Sequence, residues 1–170
     1  MRKVTVAENA GFCFGVRLAA DKVEAQLDSG EGTSLFTLGH LIHNNTYNNG
    51  LSARGVRAVT LSEREELAAE ATAEHSQKLF VRAHGIPRET ESRLEKLKAR
   101  YPNFTYEDCT CPLVKKIHRI AEENSCDDNM FILFGDASHP EVIGIMSYFS
   151  GEKYVFDSPE SFLKAVEKYL

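Results

Sequence analysis

The chain has 170 residues, 42% hydrophobic and 26% charged, with a net charge of −5. That is enough apolar material for a core, and it lacks the broad cationic field that draws nucleic acid. No run approaches the roughly 18 apolar residues of a membrane span, the start has no signal-peptide stretch, and the four cysteines lack the paired spacing of a secreted disulfide framework. These exclusions lead to the expectation of a soluble, cytoplasmic protein that binds neither nucleic acid nor membrane.

Residues 3–8 alternate, with Val4 and Val6 on one face, which predicts an opening strand. Gly11-Phe12-Cys13-Phe14-Gly15 follows as a tight connection whose glycines allow close backbone approach on either side of the cysteine. Val16, Ala19, Ala20, Val23 and Leu27 fall on one stripe and predict a helix over 16–27. A strand at 34–38, a loop through His40 and His43, a short helix at 45–53 and a strand at 56–59 come next. Residues 62–73 read as a helix in which Glu65 completes a capping box. A strand at 78–83 closes on His84-Gly85-Ile86-Pro87, and 88–100 is a charged amphipathic helix. A strand at 104–106 leads into Asp108-Cys109-Thr110-Cys111-Pro112. Helices at 113–123, 140–149 and 159–169 then alternate with strands at 129–134 and 154–156. Strands that alternate with helices imply an α/β fold of mostly parallel sheet with flanking helices. A boundary near 106–112 divides it into lobes of residues 1–110 and 111–170.

The reactive residues share one position in this pattern. Cys13, His43, His84, Cys111, His139 and Glu141 each fall just after a predicted strand or at the start of the next helix. In parallel α/β sheets the carboxyl ends of the strands form the crevice that binds ligands. Cys13, between Phe12 and Phe14, reads equally as a small buried hydrophobe. Cys111 precedes Pro112, a favoured first helical residue, so its sulfur stands at a helix N-terminus that stabilises a thiolate, either a metal ligand or a nucleophile. Cys109 and Cys111 would point to opposite faces of an extended segment, so that one of the two faces the site. Cys126, in a polar turn, is incidental. His75 in a polar connection and His118 within a helix read as surface or capping residues. His84 and His139 lie in stiffened turns, where an imidazole can donate hydrogen bonds to phosphate oxygens, and helix N-termini nearby add anion affinity. Glu141, two residues past His139, is placed either to hold a proton for delivery or to stabilise the helix dipole from an exposed first turn.

Five segments in register carry a resemblance. They are Gly-Phe-Cys-Phe-Gly-Val-Arg at 11–17, Leu-Ile-His-Asn at 41–44, Ala-His-Gly-Ile at 83–86, Cys-Pro-Leu-Val-Lys-Lys-Ile-His at 111–118 and His-Pro-Glu-Val-Ile-Gly at 139–144. Together they closely resemble the 4-hydroxy-3-methylbut-2-enyl diphosphate reductase family of the non-mevalonate isoprenoid pathway. The resemblance implies three similar α/β lobes around a central [4Fe–4S] cluster, with Cys13 and Cys111 as two of the three cluster cysteines. It implies that His43, His84 and His139 bind the substrate diphosphate, with His139 also near the substrate hydroxyl, and that Glu141 supplies protons. The implied reaction removes an allylic hydroxyl with two electrons and two protons, giving isopentenyl and dimethylallyl diphosphates. The electrons would come from an external donor such as a ferredoxin or flavodoxin.

Family members continue past the position of Leu170, and the third cluster cysteine lies in that later part. Cys109 and Cys126 do not match its motif, although Cys109 stands close enough to Cys111 to interfere or substitute. These 170 residues are therefore expected to be inactive, or nearly so, by themselves. A non-enzymatic module with four-coordinate zinc on Cys13, Cys111 and histidines is the alternative, since both ligand types suit that metal.

Overall fold

A computed structural model of the protein describes residues 3–8, 10–29 and 32–167. Its elements run in the order α1 (Phe14–Asp28), β1 (Ser34–Leu38), α2 (Asn45–Ala53), β2 (Arg57–Val59), α3 (Leu61–Ala68), β3 (Gln77–Val81), α4 (Arg88–Arg100), β4 (Phe104–Asp108), α5 (Pro112–Glu123), β5 (Met130–Phe134), α6 (Pro140–Ser147), β6 (Glu152–Phe156) and α7 (Pro159–Glu167). The strands form a four-stranded sheet of order β2-β1-β3-β4 and a two-stranded sheet of β5 and β6, and every pairing is parallel. The expected α/β architecture is therefore present in both halves of the chain.

Apolar residues occupy successive positions of the central strands because both faces of the first sheet are covered. Leu35 and Phe80 face one way, onto Ala19 and Val23 of α1 and Leu51 of α2. Phe36, Leu38, Leu79 and Val81 face the other way, onto Ala68 of α3 and Leu94 of α4. Arg64 of α3 is fully buried on that second side, its guanidinium between the rings of Phe36 and Phe104 at 4.6 and 4.9 Å, with Nη2 donating to Gln77. In the second sheet, Phe131 stacks on Phe149 at 5.2 Å, and Phe162 of α7 meets the edges of Phe134 and Phe156.

Three local expectations are corrected. Residues 3–8 form no strand, and Val4 and Val6 are 84% and 73% exposed. Alternation specifies a strand only where a neighbouring edge supplies the ladder, and among the described residues none pairs with this segment. The capping box of α3 uses Thr60 and Glu63, with the Thr60 N–H donating to Glu63 at 2.7 Å, and the helix ends at Ala68. Glu65 instead takes a two-pronged hydrogen bond from Arg93 of α4 at 2.7 and 2.6 Å. The predicted end of the last helix, at 168–169, falls outside the described residues.

Candidate active site

The site loops are held together by main-chain hydrogen bonds that continue the ladder beyond the strands. The Ala83 N–H donates to the Leu41 carbonyl at 3.1 Å, and the Cys111 N–H donates to the Ala83 carbonyl at 2.9 Å. One line of backbone thus ties together the segments that carry His43, His84 and Cys111. Leu41 and Ile42 are buried as anchors, the Asn48 amide donates to the Ile42 carbonyl at 2.8 Å, and Asn44 caps α2 by accepting from the Tyr47 N–H. His43, between the anchors and the cap, is left exposed.

The three predicted histidines come together from distant parts of the chain. The ring of His43 lies 4.0 Å from that of His84 and 5.5 Å from that of His139, and His84 and His139 are 6.0 Å apart. Burial, then the neighbouring His43, Arg82 and His139, push the pKa of His84 down to about 4. Near neutral pH His84 is therefore an uncharged imidazole with one N–H to give. His139 is the N-cap of α6, and its Nδ1 accepts from the Glu141 N–H at 3.2 Å. When the ring is neutral that bond fixes the tautomer, leaving the proton on Nε2 as a donor. Asp136 braces the turn before it, accepting from the Ser138 N–H at 2.8 Å. Glu141 stands in the first turn of the same helix.

Cys13 and Cys111 occupy equivalent positions. Each is the N-cap of its helix, α1 and α5, each carbonyl accepts the first helical hydrogen bond, and neither sulfur caps an N–H. The two helix starts meet closely: a Cβ on Gly15 would collide with Cys111 Sγ, so only glycine fits there. The close approach expected of the 11–15 loop is thus made to Cys111. The turn before Cys111 is pinned by Asp108, which accepts from the Thr110 N–H at 2.8 Å and pairs with Lys115 at 2.5 Å. Burial raises the Asp108 pKa, but the hydrogen bonds from Lys115 and Thr110 outweigh it and hold the carboxyl below its usual range.

Cys109 turns the other way, fully buried in the core against α1 and α2, with its thiol pushed up to about 12 chiefly by burial. It is unavailable to interfere with or substitute for Cys111. Cys126 is exposed, remote from these helix starts in sequence, and takes no part in the cluster described.

The reading of His118 as a surface or capping residue is overturned. Its exposure is only 7%, and it stacks on Tyr148 with ring centres 4.2 Å apart. Val114, His118 and Ala121 form the buried stripe of α5, and that spacing was the signal for it. Arg82, whose Nε donates to the Gly85 carbonyl at 3.2 Å, is a second residue that sequence reasoning missed. Its place between the strand end and His84 was the available clue.

Two thiols free at adjoining helix N-termini, where the dipoles favour negative charge, suit part of a thiolate ligand set for iron. Among the described residues, no three His, Cys, Asp or Glu side chains converge as a metal-binding group.

The family model described as LytB protein matches residues 4–169. The chain belongs to the LytB family. It is 34% identical over 158 residues to a 4-hydroxy-3-methylbut-2-enyl diphosphate reductase of Thermoanaerobacter sp., covering 93% of this chain and 51% of that protein. It is 38% identical over 161 residues to the enzyme of that name from Campylobacter lari, covering 94% and 51%. A solved structure described as (E)-4-hydroxy-3-methyl-but-2-enyl diphosphate reductase, the terminal enzyme of the non-mevalonate pathway, superimposes with a TM-score of 0.72 at 31% identity, covering 96% of this chain and 54% of that one. The reductase structure from Plasmodium falciparum, at 24% identity and the same TM-score of 0.72, shares the fold. The chain spans about half the length of the relatives it matches. Among the described residues no helix is long and apolar enough to cross a membrane.

Proposed function

We propose that this LytB-family chain supplies the diphosphate-binding histidines, the proton donor and two cluster cysteines of a 4-hydroxy-3-methylbut-2-enyl diphosphate reductase, from lobes of residues 1–110 and 111–170. The observation that carries the reading is the convergence of His43, His84 and His139 within 6.0 Å of one another, on the edge where Cys13 and Cys111 start their helices. Together with the family membership, it favours a reductase over a zinc-binding module.

Three imidazoles crowded together offer N–H donors to an anion. His139, fixed by the Glu141 N–H, would direct its Nε2 proton to the phosphate or the allylic hydroxyl. Glu141 would deliver one proton to the hydroxyl, which leaves as water, and a second to the allylic carbon, for a balance of two electrons and two protons in, one water out. Cys13 and Cys111 would hold part of a [4Fe–4S] cluster, which when bound supplies the electrons and a Lewis-acid site. A small redox protein such as a ferredoxin or flavodoxin is the proposed electron donor, and the cytoplasm the proposed location.

The test is anaerobic reconstitution with iron and sulfide, followed by counting both per chain and assaying reduction of the allylic diphosphate. A LytB-family chain of the relatives' full length should turn over and lose activity when the cysteine that matches Cys13 or Cys111 is replaced by serine. The 170-residue chain should hold iron poorly and show little or no turnover. A stoichiometric, stable cluster with turnover in that chain would defeat the claim of inactivity, and bound zinc without brown colour would favour the other reading.

A further inference from the structure

His118 belongs to none of the roles above, yet it sits where two of the functional segments meet. One side of its ring faces the turn that carries His84: a Cβ on Gly85 would lie 2.8 Å from His118 Cε1. Another faces the helix that carries His139, where a Cβ on Gly144 would lie 3.5 Å from Nε2. Gly85 has a φ of 78°, so glycine is needed there for conformation as well as for space. The ring stacks on Tyr148 with planes 16° apart, and Tyr148 in turn donates to Glu91 at 3.0 Å. Beyond the ring, the Arg88 N–H donates to Ser147 Oγ at 2.9 Å, so the turn and α6 are clipped together behind it.

Among the described residues, His118 Nε2 is buried without a hydrogen-bond partner. Such an atom forfeits the hydrogen bonds it would make in water, so an aliphatic filler would serve better if space-filling were the whole task. A five-membered ring is the smallest flat disc that can stack on tyrosine and still pass between two glycine backbones. A phenyl ring is larger and would press on both walls.

We propose that His118 is a positioning residue whose imidazole sets the separation between the His84 turn and the His139 helix. The functional meaning of that separation rests on the proposed reading of both histidines as donors to one diphosphate. A displacement on the order of 1 Å is enough to spoil such a shared contact.

The experiment uses the whole chain with His118→Phe, which overfills the gap, and His118→Gln, which keeps a polar side chain without the flat ring. The readouts are nuclear Overhauser contacts between histidine ring protons and the affinity for inorganic diphosphate. The His43–His84 contact is an internal reference, because those two loops are joined by the Ala83–Leu41 hydrogen bond and do not depend on α6. We expect the His84–His139 contact to weaken or vanish in both variants while the His43–His84 contact persists, with diphosphate bound roughly five- to tenfold more weakly. Retention of the His84–His139 contact overturns the proposal. Loss of both contacts together, or failure of both variants to fold, overturns it too, by showing a general core role. If the unaltered chain does not take diphosphate, the reading of the site fails, and the ring contacts alone still decide the positioning claim.

Discussion

In the four-stranded sheet, the central strands β1 and β3 bury side chains on both faces, whereas β5 of the two-stranded sheet alternates half-buried with exposed residues. Met130, Ile132 and Phe134 remain exposed, the first two with Tyr154 along an apolar groove of about 530 Å³ bordered by α7. The first sheet therefore carries a closed core under the His43, His84 and Cys111 loops. The second carries His139 and Glu141 on a much thinner foundation. The histidine cluster spans the two, so its geometry is only as firm as the joint between them, at α5, α6 and the His84 turn.

The widest expected contrast is chemical. With a thiol-alkylating reagent near pH 8, the exposed Cys13 and Cys126 should be modified readily and the partly exposed Cys111 more slowly. Cys109, enclosed in the first core with its pKa near 12, should stay unmodified until the protein unfolds. Peptide mass spectrometry reads this directly, and early labelling of Cys109 would show that the first core is not closed.

Core truncation should separate the sheets next. Phe80→Ala, at a fully buried position of β3, should cost about 3–5 kcal/mol in denaturant unfolding. Ile132→Ala, at a position 38% exposed on β5, should cost less than about 1 kcal/mol. Equal losses would erase the distinction. Within the first core, Arg64 is the exception, a buried cation whose Nε and Nη1 find no partner among the described residues and whose pKa burial pushes down to about 10. Arg64→Met should match the unaltered chain or gain about 1 kcal/mol, as apolar replacement of buried charge often does. A clear loss would show that the stacking on Phe36 and Phe104 outweighs desolvation.

Acid should act on the site and the joint. Burial is the first cause that lowers the pKa of both His84 and His118. The unfolded chain then binds more protons than the folded one below their ordinary value of 6.5. Their contribution is fully present above that pH and, for His84, is lost progressively as the pH falls toward about 4. Melting temperatures across that range should fall with acid, and less steeply in His84→Asn. An unchanged slope would remove His84 from this account.

Most elements were legible because their signals are local. Periods of two and 3.6 identified the elements from β1 through α7, and the positions of His43, His84, Cys111, His139 and Glu141 after strands or at helix starts followed from those elements, whereas Cys13 stands at the start of α1 with no strand before it. The errors occurred where a local pattern admits two answers. Thr60 with Glu63 and Ser62 with Glu65 both fit a capping box, and the tertiary pair of Glu65 with Arg93 decides between them. The alternation of Val4 and Val6 lacks the partner edge that would make it a strand. His118 has the spacing of a core position and the chemistry of a surface one. Only the stack on Tyr148 and the glycines on either side explain why the spacing prevails.

The central claim is that the three histidines form one diphosphate site across both sheets. Its most direct test is titration of inorganic diphosphate into the chain while following the ring resonances of all six histidines. The account predicts that His43, His84 and His139 respond together with one apparent affinity, while the exposed His40 and His75 do not. A response confined to His40 and His75, or none from His139 while His43 and His84 shift, would contradict it.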